Sequence, residues 1–132
     1  MGIKFEDLNP CESSIKIDNK EFKLRKFDLI AQVWALNYFS TKENKDGMLV
    51  LAERLRNNND AEAILTVAWH LLKRKTYFTD YETFVEKIDN SGGWIKIMEI
   101  LLAVVETLGV SQPQLAEFQE DLELKKSLAA EA

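Results

Sequence analysis

Side chains able to carry out chemistry are sparse in this 132-residue chain, which has one histidine, His70, and one cysteine, Cys11. His70 falls on the polar side of a predicted helix, and no serine, cysteine or carboxylate lies at helical spacing to form a catalytic pair with it. Cys11 stands beside Glu12, and a neighbouring negative charge makes a thiol less nucleophilic. We therefore predict that the protein is not an enzyme and uses no cofactor.

Carboxylates are numerous but lack the partners that a metal site needs. Glu82 and Glu86 lie four residues apart, like the ligands of di-iron bundles, yet those sites also need Glu-x-x-His motifs. The single cysteine excludes a zinc site with several cysteine ligands. We interpret the acidic pairs as solvated helix surface and expect no metal.

A basic and aromatic segment, residues 73–78, permits two interpretations. Lys73-Arg74-Lys75 next to Tyr77 and Phe78 combines the side chains that bind single-stranded nucleic acid. Basic residues also suit the end of a helix, where they meet the negative end of its dipole. The net charge of −5 favours the second interpretation, because nucleic acids and anionic membranes attract cationic surfaces. A nucleic-acid-binding regulator that uses residues 73–78 remains the alternative function.

Aromatic and apolar residues at the edges of helix stripes suggest a surface for a protein partner. Together they exceed what a small bundle easily buries. The last predicted helix adds a narrow apolar stripe, which packs either on its own bundle or on a neighbouring copy. We predict partner binding by Trp34, Phe39, Tyr77, Phe78, Leu115, Phe118 and Leu122.

A β-hairpin is predicted near the N-terminus, over residues 13–26. Apolar and polar residues alternate from Ile15 to Leu24, with the period of two that a half-buried strand requires. With Asn19-Lys20 as the loop, Ile17 faces Phe22 and Ile15 faces Leu24, and all four side chains lie on one face.

From Asp28 onward the apolar period is helical. Asp28 begins a helix to about Phe39, whose apolar face holds Leu29, Ile30, Val33 and Leu36, with Trp34 at the edge. Further helices are predicted over 48–56, 60–74 and 79–90, with capping boxes at Asn59 and Thr79. The most apolar segment, Trp94 to Leu108, is predicted to be the central helix and to end at Gly109, and a last helix begins at Ser111.

The sequence therefore predicts a mainly α fold, a small bundle of five or six helices with an N-terminal hairpin. A length of 132 residues suits one domain, with a loose arm over 1–12, the hairpin over 13–26, the bundle over 28–124 and a frayed tail over 125–132. We find no targeting signal and no apolar run of membrane-spanning length, and we expect a cytoplasmic protein without a membrane partner.

The hairpin followed directly by helices, in a small acidic chain, resembles the tail assembly chaperones of long-tailed bacteriophages. Many of these begin with an Ile-x-Ile-Asp-Gly-Lys-x-Tyr/Phe-x-Leu hairpin. The corresponding segment here runs from Ile15 to Leu24, with Asn19 in place of the usual glycine.

The resemblance implies a non-enzymatic role in the host cytoplasm. Members of that family bind the tape measure protein, keep its long apolar helices soluble and help to recruit the tail tube protein. They also self-associate, and many are made in two lengths by a ribosomal frameshift. The resemblance implies a homo-oligomer with these two protein partners and brings no catalytic residues.

Overall fold

The computed structural model describes residues 10–56 and 60–109, which form a β-hairpin followed by five α-helices. The hairpin consists of β1 (Ser13–Ile17) and β2 (Lys20–Leu24). The helices are α1 (Leu29–Tyr38), α2 (Gly47–Arg56), α3 (Ala61–Leu71), α4 (Tyr81–Asn90) and α5 (Trp94–Leu108), with a 3-10 turn, Lys75–Tyr77, before α4. The mainly α fold with an N-terminal hairpin is confirmed. The predicted last helix and frayed tail lie outside the described residues.

The hairpin has the predicted buried face but a different register. Its strands are antiparallel, with Ile15 opposite Phe22, and the loop is Asp18-Asn19. The predicted loop, Asn19-Lys20, is wrong because a tight hairpin turn needs two residues with positive φ, which Asp and Asn adopt more readily than Lys. Asp18 and Asn19 have φ of 54° and 64°.

The change of register leaves the same side chains inside. Moving the loop by one residue changes each strand partner by two, and a shift of two preserves the face. The four apolar residues of the alternating pattern are all buried, namely Ile15, Ile17, Phe22 and Leu24.

The outer edge of β2 is paired with the segment that follows α3. Leu24 forms an isolated antiparallel bridge with Leu72, and the Lys73 N–H donates to the carbonyl of Lys23 at 3.0 Å. The Arg25 N–H donates to the carbonyl of Leu71 at 2.8 Å. These bonds attach the hairpin to the bundle, which a two-stranded ribbon needs because it is marginal alone in water.

Helix α5 is central, as predicted, and packs against α3, α4 and both strands. Most of its residues between Met98 and Leu108 are buried. The carbonyl of Thr107 accepts from the N–H groups of Cys11, at 3.3 Å, and Phe27, at 3.1 Å. Thus the end of α5 holds both the chain before β1 and the chain before α1, and Cys11, expected in a loose arm, is bonded to the bundle.

The helix ends follow the sequence signals, with one shift. Asp28 caps α1 by accepting from the Ala31 N–H, and Gly109 ends α5 in the left-handed conformation, both as predicted. Helix α4 is capped by Asp80 instead of Thr79, since the Asp80 carboxylate accepts from the Thr83 N–H at 2.8 Å. Asp60 caps α3, whereas Asn59, the predicted cap, lies outside the described residues.

The buried apolar side chains of the hairpin and of all five described helices form one cluster. In the part of the chain that the structure describes, no helix is long and apolar enough to cross a membrane.

Candidate protein-binding surface

Helix α1 turns its large apolar residues toward solvent. Leu29 and Ile30 are 72% and 74% exposed, and Val33 and Leu36 are 53% and 45% exposed. The spacing of four and then three residues places Leu29, Val33 and Leu36 in line, with Ile30 beside Val33. We call these four residues the α1 apolar face, and it is the largest group of exposed apolar side chains on any described helix.

The opposite side of α1 is buried and built from small residues. Ala31 and Ala35 pack inward, and Gly47, the first residue of α2, lies against the last turn of α1. A Cβ atom on Gly47 would lie only 2.6 Å from the carbonyl oxygen of Ala35. Glycine therefore permits this approach to the end of α1, and the buried side of α1 holds Ala31 and Ala35 while the large apolar side chains face outward.

Trp34 marks the edge of the α1 apolar face and attaches α1 to α3. Its indole ring is half-buried and lies parallel to the imidazole of His70, with 3.8 Å between ring centroids and 4° between planes. It also stacks on Tyr38, at 5.3 Å, and meets Phe39 edge to face, at 5.7 Å. The stack on His70 connects α1 to α3, whereas the contacts with Tyr38 and Phe39 lie within α1 and its C-cap.

His70, predicted at the solvated surface, is half-buried in this stack. Burial and the positive charges of Lys75 and Arg25 lower its pKa to about 4, whereas Asp28 acts in the opposite direction. The imidazole is therefore neutral near pH 7. It contributes a flat apolar surface for Trp34 and no charge.

Segment 73–78 packs onto the rest of the molecule. The Lys73 ammonium is paired with the Glu12 carboxylate, and the Lys75 ammonium lies 5.7 Å from the ring of Trp69. Phe78 is 1% exposed and lies between Phe22 and Phe84, at 4.9 and 5.1 Å between ring centroids. Lys73, Lys75 and Phe78 thus have structural contacts within the chain, whereas Arg74 is exposed.

The predicted partner-binding residues do not lie together. Trp34 borders the α1 apolar face, whereas Tyr77 is exposed on the far segment, where its hydroxyl accepts from Lys20 at 3.0 Å. Phe39 and Phe78 are buried in the core. The remaining three predicted residues, Leu115, Phe118 and Leu122, lie outside the described residues.

Sequence reasoning missed the α1 apolar face as an exposed surface. An apolar stripe at helical spacing normally faces the core. The available signal was the pair Ala31 and Ala35 together with Gly47, small residues that permit close approach of two helices. Ala31 and Ala35 lie on the side of α1 opposite the large apolar residues, and this side packs inward.

The described residues offer little else for a ligand. Among residues 10–56 and 60–109, no group of three His, Cys, Asp or Glu side chains is arranged to hold a metal ion. An open polar groove of about 490 Å³ lies beside the hairpin, lined by Glu12, Ser13, Ser14, Glu21, Lys23 and Glu106. Its lining is mostly polar and includes no aromatic side chain that could stack on a cofactor ring.

Comparison with protein-family models, with curated proteins and with solved structures finds no match to this chain.

Proposed function

We propose that this protein acts by binding another protein, as a non-enzymatic tail assembly chaperone, and that the α1 apolar face is its contact surface. The observation that carries this proposal is the exposure of four large apolar side chains in a row on a rigid helix. Exposed apolar patches rimmed by polar residues mark protein interaction sites. Such a face suits an amphipathic helix of the partner, bound through its apolar side.

The identity of the partner rests on the resemblance of the Ile15–Leu24 hairpin and of the element order. On that basis the partner is the tape measure protein, whose long apolar helices need a cover before assembly, and recruitment of the tail tube protein follows in the host cytoplasm. A chaperone of this type binds the unassembled state of its client and covers the client's exposed apolar surface.

The first experiment is to read the gene and the DNA that follows it. A slippery adenine run near the codons of Lys125-Lys126, an overlapping shifted frame and then a very long helical reading frame would support the proposal. Unrelated short reading frames at that place would contradict the tape measure assignment.

The second experiment tests the surface by co-expression with the protein of that long reading frame. Ile30→Gln with Val33→Gln should abolish co-purification, because glutamine keeps helix propensity and removes the apolar contact. Ile95→Gln is the matched control, since Ile95 is 44% exposed and lies about 18 Å along α5 from Thr107. Equal loss with the control variant would show that the α1 apolar face is not the contact.

The resemblance also implies a homo-oligomer. Sedimentation velocity over about a hundredfold range of protein concentration should then show association that increases with concentration. A chain that stays strictly monomeric over the whole range would contradict this part of the proposal.

The placement of segment 73–78 favours protein binding over the nucleic-acid alternative. Stacking on bases needs exposed rings, and with Phe78 in the core the segment offers only the exposed ring of Tyr77. Lys73 and Lys75 already contact Glu12 and Trp69. A low-salt gel shift with DNA or RNA, lost on combined Lys73→Ala, Arg74→Ala and Lys75→Ala changes, would reverse this preference.

A further inference from the structure

The end of α5 lies beside the chain that leads into α1. The Phe27 N–H donates to the carbonyl of Thr107 at 3.1 Å, and Phe27 directly precedes Asp28, the cap of α1. Gly109, two residues after Thr107, turns the chain in a left-handed conformation with φ of 73°. Gly109, the last described residue, therefore lies two residues after a carbonyl that is bonded to the chain just before α1. Leu29, at the start of α1, is 72% exposed.

The sequence of residues 111–122 matches that face in length and pattern. Leu115, Phe118 and Leu122 repeat the spacing of three and four residues that places side chains on one line of a helix. Ten residues, the length of α1, span about 15 Å as a helix. Leu115 comes six residues after Gly109, and six residues in extended form span about 20 Å, so the stripe is within reach of the α1 apolar face.

Charge also permits this contact. The segment carries four acidic side chains near the stripe: Glu117, Glu120, Asp121 and Glu123. Helix α1, Leu29–Tyr38, contains no charged residue, so these carboxylates meet no like charge on it. The flanking charges are mixed, since Lys26 and Asp28 precede α1 and Lys42, Glu43, Lys45 and Asp46 follow it.

We propose that the apolar stripe Leu115, Phe118 and Leu122 covers the α1 apolar face of the same chain. This cover keeps four large apolar side chains from water while no partner is bound. A partner helix then competes with the stripe for one surface, a consequence that rests on the proposed function. The short connection favours the intramolecular contact, because a short tether gives an effective concentration of order millimolar.

The test is a disulfide between the two apolar surfaces in the full chain. Cys11→Ser removes the native thiol, and Val33→Cys with Phe118→Cys places one thiol at the centre of each surface. With oxidised glutathione we expect a disulfide within single chains, formed at a rate independent of protein concentration. The control pairs Ile95→Cys with Phe118→Cys, because Ile95 is exposed but lies toward the other end of α5.

Three outcomes would overturn the proposal. Equal rates for both pairs would mean that residue 118 has no preferred contact. A disulfide between two chains would assign the α1 apolar face to a second copy. Failure of both pairs to form a disulfide would place residue 118 away from α1.

A fluorescent probe of apolar surface gives an independent readout. Combined Leu115→Ser, Phe118→Ser and Leu122→Ser changes should increase the fluorescence of bound anilinonaphthalene sulfonate, because the α1 apolar face opens. Addition of Ile30→Gln and Val33→Gln should remove that increase. No increase in the first variant, with unchanged far-UV circular dichroism, would contradict the cover.

The results separate this inference from the proposed function. An intramolecular disulfide without tape measure binding would support the cover and contradict the chaperone function. Tape measure binding through Ile30 and Val33 without the disulfide would support the chaperone function and contradict the cover.

Discussion

At the scale of single residues, His70 is the group whose environment changes its chemistry most. Its stacking on Trp34 places an imidazole where charge is disfavoured, and its pKa falls to about 4. A helix wheel of α3 alone predicts that His70 faces solvent, because it does not show that Trp34 of α1 stacks on the imidazole. The stack is a tertiary contact between residues 36 positions apart, which periodicity within α3 cannot reveal.

The lowered pKa of His70 predicts a pH dependence of stability. Well above pH 6.5, the ordinary pKa of histidine, the imidazole is neutral in both the folded and the unfolded protein. In that range His70 does not lower the free energy of unfolding. As the pH falls from 7 toward 4, the unfolded state binds the proton first and the free energy of unfolding decreases. We expect His70→Phe, which keeps a ring against Trp34, to reduce that decrease by about 1–2 kcal/mol after allowance for partial exposure.

Urea unfolding at pH 7 and pH 4.5 checks this prediction in both proteins. The carboxylates of Glu12, Asp60 and Asp80 titrate alike in both, so the difference isolates His70. Parallel pH profiles would show that the imidazole is not desolvated in the folded protein.

Gly47 is the second residue whose role depends on its surroundings. A methyl group at this position would meet the carbonyl oxygens of Ala35 and Leu36, which are backbone atoms and cannot move independently. We expect Gly47→Ala to lower the free energy of unfolding by about 3 kcal/mol, since overpacking a tight contact costs this much. Glu53→Ala, an exposed change on the same helix, should stay within about 0.5 kcal/mol in the same urea titration.

At the scale of elements, the hairpin shows how local chemistry selects register. The loop contains Asp18 and Asn19, both with positive φ, and the tip is attached to the end of α4. Asp18 accepts from the Ser91 hydroxyl at 3.0 Å and lies 3.8 Å from the Lys87 ammonium. The alternating pattern predicted which side chains are buried. The turn conformation determined which residues of β1 and β2 lie opposite each other.

The turn makes Asn19 a sensitive position. Asn19→Gly should increase the free energy of unfolding by about 0.5 kcal/mol, because glycine adopts positive φ without a steric penalty. Asn19→Val should decrease it by about 1–2 kcal/mol, the cost of a left-handed conformation for a bulky residue. Thermal unfolding of the three proteins gives the order, and a valine variant as stable as the parent would refute the positive φ.

At the scale of the whole molecule, Phe78 joins the hairpin to the helices. Its ring contacts Phe22 of β2 and Phe84 of α4, and it is buried almost completely. From the sequence, Phe78 is a candidate for partner binding, because a loop position carries no periodicity that would indicate burial. The fold brings Phe22, 56 positions earlier in the chain, against this ring, and periodicity within a segment does not show such a contact.

Truncation of Phe78 should therefore weaken the fold as a whole. We expect Phe78→Ala to lower the free energy of unfolding by about 3–5 kcal/mol, the range for a buried phenylalanine. Tyr77→Ala, the neighbouring exposed aromatic, should cost about 1 kcal/mol through loss of its contacts with Phe22 and Lys20. Equal effects in urea unfolding would contradict the core position of Phe78.

The sequence alone determined the kinds of element and most of their ends. Period-two and helical apolar patterns, the Asp28 cap and the Gly109 stop act over a few residues, so they are legible without the fold. Only the tertiary structure decided which side of α1 faces water. A helical pattern shows that one face is apolar, but the burial of Ala31 and Ala35 and the close approach of Gly47 to the last turn of α1 leave Leu29, Ile30, Val33 and Leu36 outside.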